Sequence, residues 1–241
     1  MKWGRLLSAA VLTVSLFAPV GAQTKGKAKA VPKGTDVPRA KNGKPDLSGV
    51  WLSDPKTFNN VGEVSLTPAM QKVYQQRSDG KEKDPVARCL PTGVPRITAE
   101  PFKIMQTPEV LVMMFEGGTH SFRQFHVNTA HPAGKDWENN WMGHSNAVWE
   151  GDTLVVDTIG FNDLTWLNVK GLPHSDQLHV VEYYMRPDRT HLNVRITMTD
   201  PVAFTKPVTY ERQHTLSTNR ELKEYTCTEA GLKAQGLISA H

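Results

Sequence analysis

Beyond residue 22 the chain has no apolar run near the ~18 residues that a membrane-spanning helix needs. The mature chain is therefore expected to be soluble, with no membrane span. It has only two cysteines, Cys89 and Cys227, and no C-x-x-C pair. Nothing in their spacing argues for a thiolate zinc knuckle. Neither H-x-H nor H-E-x-x-H occurs, so the familiar local signatures of a histidine metal site are missing. There is no G-x-S-x-G elbow, which leaves serine nucleophile chemistry without a signature. Gly117-Gly118 has no helix signal after it and marks a turn rather than a phosphate cradle. No internal repeat and no alternation of strand with helix is visible, which argues against a parallel α/β sheet.

The basic balance is also less than it looks. The chain is formally +4. Residues 1–22 carry +2 and residues 23–45 carry +6, so residues 46–241 stand at −4. A mildly acidic body is not the footprint of a nucleic-acid-binding domain. Residues 1–22 have the organisation of a secretory signal peptide. Lys2 and Arg5 precede an apolar core over 6–17, and Val20-Gly21-Ala22 is a small-residue cleavage site. The protein is thus expected to be exported, to a periplasmic or extracellular space. Residues 23–45 form a basic tail without apolar periodicity and are expected to be disordered. Residues 46–241 are long enough for one domain with a sizeable core. In an exported protein, an even cysteine pair is expected to close a Cys89–Cys227 disulfide. Ligation of a metal by the two thiolates is the alternative.

Strand signals dominate the body. The clearest is a hairpin. Residues 147–150 and 153–158 are extended, β-branched runs around Gly151-Asp152, a pair suited to a two-residue turn. Strands are also expected at 47–52, 102–106, 110–115, 122–127, 178–186, 190–199, 208–216 and 222–227. The one short helix starts at Pro68, with Thr67 as its N-cap, and runs to about residue 76. About ten mostly consecutive strands with short turns predict an all-β protein, an antiparallel meander closing into a barrel or a strongly curved sheet.

Six of the nine histidines fall between residues 120 and 179. His144, His174 and Glu182 are the candidate catalytic groups, with Arg123 and Asp157 in support. His144 and His174 flank the central hairpin, and imidazoles titrate near neutrality. Glu182 shares a strand face with Leu178, Val180 and Tyr184. A three-residue turn would place it opposite Val194, on an apolar wall that favours a protonated carboxyl. An ion pair with Arg186 or Arg195 is the alternative. Asp157 falls on the face of its strand opposite to Leu154 and Val156, so it points either into a half-apolar setting or to water. Trp141, Trp149, Trp166, His179 and Tyr184 are candidate ligand contacts. His120, His126 and His131 are candidates for a divalent metal such as Zn²⁺, although no cofactor is fixed by the sequence.

The segments GHSNAVWEGDTLVVDTIGF, PHSDQLHVVEYY and TDPVAFTKP, with CLPTGVPR near Cys89, resemble a family of exported bacterial β-rich proteins of uncharacterised function. The resemblance covers most of residues 45–228 and implies a lipocalin-like barrel, but no activity. Val127-Asn128-Thr129-Ala130 departs from that pattern, where Asp and Gly are common, and leaves the loop before His131 without an implied role. Two functions remain. One is an exported barrel enzyme performing His/carboxylate acid–base chemistry on a small organic substrate, as a lyase, isomerase or hydrolase. The other is a non-catalytic binder of a small apolar molecule. The interior of the barrel distinguishes them, and the oligomeric state is not fixed by the sequence.

Overall fold

The computed structural model describes residues 36–57, 60–117, 119, 121–132 and 138–223. The chain divides into two compact units, Met1–Pro32 and Lys33–His241. The expected signal peptide, the tail up to residue 35, His120 and Cys227 lie outside the described residues.

The second unit is a closed barrel of nine strands. They are β1 (Gly49–Ser53), β2 (Phe102–Gln106), β3 (Val110–Phe115), β4 (Phe122–Val127), β5 (His144–Glu150), β6 (Thr153–Ile159), β7 (His179–Met185), β8 (His191–Thr199) and β9 (Val208–Ser217). One helix, α1 (Pro68–Ser78), lies between β1 and β2. Its start follows the sequence signal, with Pro68 in the first turn and Thr67 Oγ1 accepting from the Met70 N–H at 3.4 Å. The central hairpin pairs Glu150 with Thr153 around Gly151, whose φ of 61° the turn requires. The last expected strand, 222–227, falls mostly outside the described residues.

The expected antiparallel meander is corrected at one place. Every neighbouring pair is antiparallel except β4 and β5, which run parallel. Parity is the reason. Strands around a closed ring can alternate direction throughout only if their number is even, so nine strands force a parallel neighbour. A parallel pair needs a crossover that travels the length of the barrel, and residues 128–143 supply it. The described parts of this crossover lie against the outside of β5 and β6. Asn128 N–H donates to Ala147 O at 2.8 Å, and Asn140 N–H to Gly160 O at 2.9 Å.

At the upper end of the barrel β1, β3, β6 and β8 finish. At the lower end are the short turns β2–β3, β5–β6 and β7–β8. Residues 36–45, placed by the sequence in the disordered tail, are held against these lower turns. Arg39 forms a two-bond ion pair with Asp152, at 2.5 and 2.7 Å, and Lys44 Nζ donates to Gly151 O at 3.2 Å. The basic run finds a carboxylate and a carbonyl on the hairpin turn. Leu47, just beyond this strap, is fully buried and accepts from Trp51 Nε1 at 2.9 Å.

Strand alternation fills the interior with Phe102, Leu111, Phe125, Leu154, Val156 and Val194. Glu182 joins them, fully buried. The turn between β7 and β8 is longer than three residues, so Glu182 opposes Ile196 rather than Val194. A shift of two residues keeps the parity, which is why the expected apolar face is still the right one. The carboxylate is not alone there. Arg123, from β4, grips it through Nη1 at 3.1 Å and Nη2 at 2.5 Å, and Tyr184 OH donates to it at 3.0 Å. Arg123 also reaches Ser145 and Thr158 hydroxyls at 3.3 and 3.2 Å. Burial lowers the pKa of the guanidinium, but the facing carboxylate raises it more, so Arg123 stays charged. The partner is therefore neither Arg186 nor Arg195. Such a pair is costly to break, because the survivor would be a buried, unanswered charge.

Candidate functional site

The crossover gathers a histidine cluster on the outer wall. His126 (β4), His144 (β5), Asp157 (β6) and His179 (β7) all point outward, and the crossover brings His131 over them. Asp157 bridges two imidazoles, with Oδ1 at 2.8 Å from His131 Nε2 and Oδ2 at 2.7 Å from His179 Nε2. His131 Nδ1 lies 3.1 Å from His144 Nδ1. His126 stacks on His144 with centroids 5.1 Å apart and planes within 4°.

The protons follow from this geometry. A carboxylate only accepts, so His131 and His179 each donate from Nε2. In neutral His131, Nδ1 is then an acceptor, and His144 Nδ1 must donate to it. That tautomer leaves His144 with Nε2 as its acceptor nitrogen. The sequence Asp157–His131–His144 is thus a carboxylate-oriented relay. Burial pushes Asp157 up, but the hydrogen bonds from His179 and His131 outweigh it and hold the carboxyl below its ordinary range. The hydrogen bond to Asp157 raises His179. Burial, with His126 and His131 beside it, lowers His144.

Next to this relay the wall opens. β4 and β5 pair only from Phe125↔Ser145 to Val127↔Ala147, and above that they part. A cleft of about 420 Å³ occupies the gap, lined by Arg123, His126, Trp141, His144 and Ser145. Gly143, at its edge, has φ +64°, and a Cβ there would lie within 2.7–2.9 Å of Phe161, Thr158 and the Ile159 carbonyl. Any side chain would push the two walls of this corner apart.

A second, larger cavity of about 740 Å³ lies at the upper end of the barrel. The segment after β1 contributes Val61, Val64 and Leu66, α1 contributes Tyr74, and the β6–β7 loop contributes Leu167 and Leu172. Arg212, on the inward face of β9, also lines it.

The sequence-derived candidates divide as follows. His144, Asp157, His179 and the proposed metal candidates His126 and His131 form one cluster, and Arg123 and Trp141 share its cleft. Glu182 reaches that cleft only through Arg123. His174 does not join them. It is buried in the β6–β7 loop, between Thr165 Oγ1 at 2.7 Å and Ser175 O at 2.9 Å, and burial lowers its pKa. His144, His174 and Glu182 belong to three separate hydrogen-bond networks, and the loop carrying His174 folds back on itself and on Asp200. Trp149 packs against the core, Trp166 lies under the Arg77 guanidinium at 5.4 Å, and Tyr184 is buried on Glu182. His120 lies outside the described residues. Among the described residues no group of three or more His, Cys, Asp or Glu is arranged to hold a metal ion. Sequence reasoning missed Arg212, although Val208, Tyr210, Arg212 and His214 alternate onto one strand face.

Comparison of the chain with protein-family models and with curated proteins finds no match. The site is read from its own geometry.

The cluster makes a pH prediction. His179 should titrate above, and His144 below, the ~6.5 of a free imidazole. Asp157→Asn should bring His179 down. Imidazole NMR over a pH series measures both, and equal midpoints for the two rings would contradict the assignment. The signs for stability are opposite. The raised His179 stabilises the fold below the free-imidazole pKa, a contribution lost as pH climbs through its raised value. The depressed His144 disfavours the fold as pH falls below the free-imidazole value.

Proposed function

We propose that this protein is an exported β-barrel that binds a small, largely apolar molecule in the cavity at its upper end. One observation carries the reading. The cavity of about 740 Å³ has the size of a small-molecule site, and it joins an apolar wall of Val61, Val64, Leu66, Tyr74, Leu167 and Leu172 to a polar one that includes Arg96, Glu100, Lys170 and Arg212. The signal-peptide pattern of residues 1–22 supports export. The motif GHSNAVWEGDTLVVDT supports membership of the exported β-rich family, and the closed barrel is compatible with a lipocalin-like binder. No described helix is long and apolar enough to cross a membrane. Catalysis by His144, His174 and Glu182 as one group loses its support, because their networks are separate.

A neutral apolar fluorophore such as N-phenyl-1-naphthylamine should bind saturably, with one site per chain. Val64→Trp should obstruct the apolar wall of the cavity and weaken that binding by about tenfold or more without lowering the melting temperature, a loss of ~1.4 kcal/mol or more of buried apolar contact. Absence of saturable binding, or undiminished binding by Val64→Trp, would sink the reading.

A second reading rests on the Asp157–His131–His144 relay beside the smaller cleft. A carboxylate-oriented imidazole next to Arg123 and Trp141 is suited to acid–base chemistry on a small organic substrate. For any turnover found, Asp157→Asn should lower kcat more than it raises KM, by about 10²-fold in a general-base relay. Unchanged kcat in this variant excludes the relay from the chemistry.

Export also supports a Cys89–Cys227 disulfide. No free cysteine occurs among the described residues, Cys89 among them. Thiol labelling of the native exported protein is expected to find no reactive sulfhydryl before reduction and two afterwards, the chain's full cysteine count. Two thiols reactive without reduction would refute the bond.

A further inference from the structure

The barrel buries two arginines from inward strand faces, and they are answered differently. Arg123 has Glu182. Arg212 is 2 % exposed, and its Nη1 donates only to neutral oxygens, Pro95 O and Thr98 Oγ1, both at 2.6 Å. Its Nε has no partner at all. The other arginines around the cavity are neutralised within the protein, Arg96 by Asp84 at 2.7 Å and Arg220 by Glu116. No ion pair among the described residues includes Arg212. The Tyr210 ring lies 5.3 Å from its guanidinium, and the Tyr210 hydroxyl is buried without a partner and stays protonated, with its pKa pushed up to about 12 by burial. His214, two residues along the same face, is held neutral by burial, its pKa lowered to about 4. A buried cation with no counter-charge is expensive, and this one borders the large cavity.

We infer that the cavity takes an amphiphilic organic acid, with its carboxylate on the Arg212 guanidinium through Nη2 and its apolar body along Val64, Leu66, Leu167 and Leu172. Nη1 is committed to Pro95 and Thr98, which fixes the plane of the guanidinium. Nη2 makes no hydrogen bond among the described residues and is the donor left for a carboxylate, while Nε behind it is buried without a partner. The charge around the cavity is mixed. Glu116 is paired with Arg220, Lys170 lines the wall, and Glu100 also lines it, its pKa raised by burial against Arg96 and with Glu116. The inference rests on the proposed reading of this cavity as a small-molecule site and adds the chemical class of the occupant.

A matched pair of probes tests it by calorimetry: dodecanoate and dodecanol, which share a tail and differ in the head. Dodecanoate should bind about tenfold or more tightly than dodecanol, a difference of ~1.4 kcal/mol or more, because only its head can accept charge-assisted hydrogen bonds. Arg212→Met should erase the difference by weakening dodecanoate while leaving dodecanol unchanged. If neither probe binds, the small-molecule reading itself falls. If both bind equally to the unaltered protein, the cavity reading stands and the carboxylate inference is overturned. If Arg212→Met keeps the preference, another group holds the anion. Should that variant fail to fold, [1-13C]dodecanoate bound to the unaltered protein decides the matter. Its carboxyl should stay ionised to a lower pH than in water, and a carboxyl that protonates at or above its pH in water would overturn the pairing.

Discussion

An odd number of strands cannot close into a ring of alternating directions, and much that is particular to this barrel follows from that constraint. β4 and β5 must run the same way. The chain between them must then climb the outside wall, and on its way it delivers His131 onto Asp157 and His144. The same two strands separate above Phe125 and Ser145, and the cleft lies where they part. The histidine cluster and the cleft are thus both consequences of one parallel pair. An even-stranded barrel with the same side chains would need no such crossover to seat His131.

The interior applies one rule in two ways. A buried charge must be compensated, by a fixed partner or by something that arrives. Arg123 and Glu182 compensate each other, with Tyr184, Ser145 and Thr158 taking up the remaining hydrogen-bonding capacity. This network ties β4, β5, β6 and β7 together where the wall is least zipped, so it also braces the cleft. Arg212 has only neutral acceptors. The difference separates a structural ion pair from the proposed binding group, although both residues look alike as single arginines in apolar strands.

Local patterning carried most of the fold. β2, β3 and β4 occupy the expected residues 102–106, 110–115 and 122–127, and the hairpin around Gly151-Asp152 has the expected register. Turn chemistry and alternation act over a few residues, so one sequence suffices to read them. Glu182 was legible for the same reason, since alternation alone puts it inside. Its partner was not, because Arg123 is 59 residues away and the pairing depends on closure of the barrel. The relay was half legible. His131, His144, Asp157 and His179 were each singled out, but their meeting requires the crossover, and the crossover follows from the strand count. His174 misled because proximity to the hairpin in sequence is not proximity to its outer wall.

The strap at the lower end gives the barrel a direction. Arg39 and Lys44 hold it to the β5–β6 turn, Arg186 bonds to the Asp46 carbonyl, and Leu47 backs onto the indole of Trp51. The Arg186 guanidinium covers that indole at 5.1 Å. The packed interior and this strap together close the lower end, and the large cavity opens only at the upper one. For the binding proposed above, entry and exit would share that one mouth, so occupants could exchange only one after another.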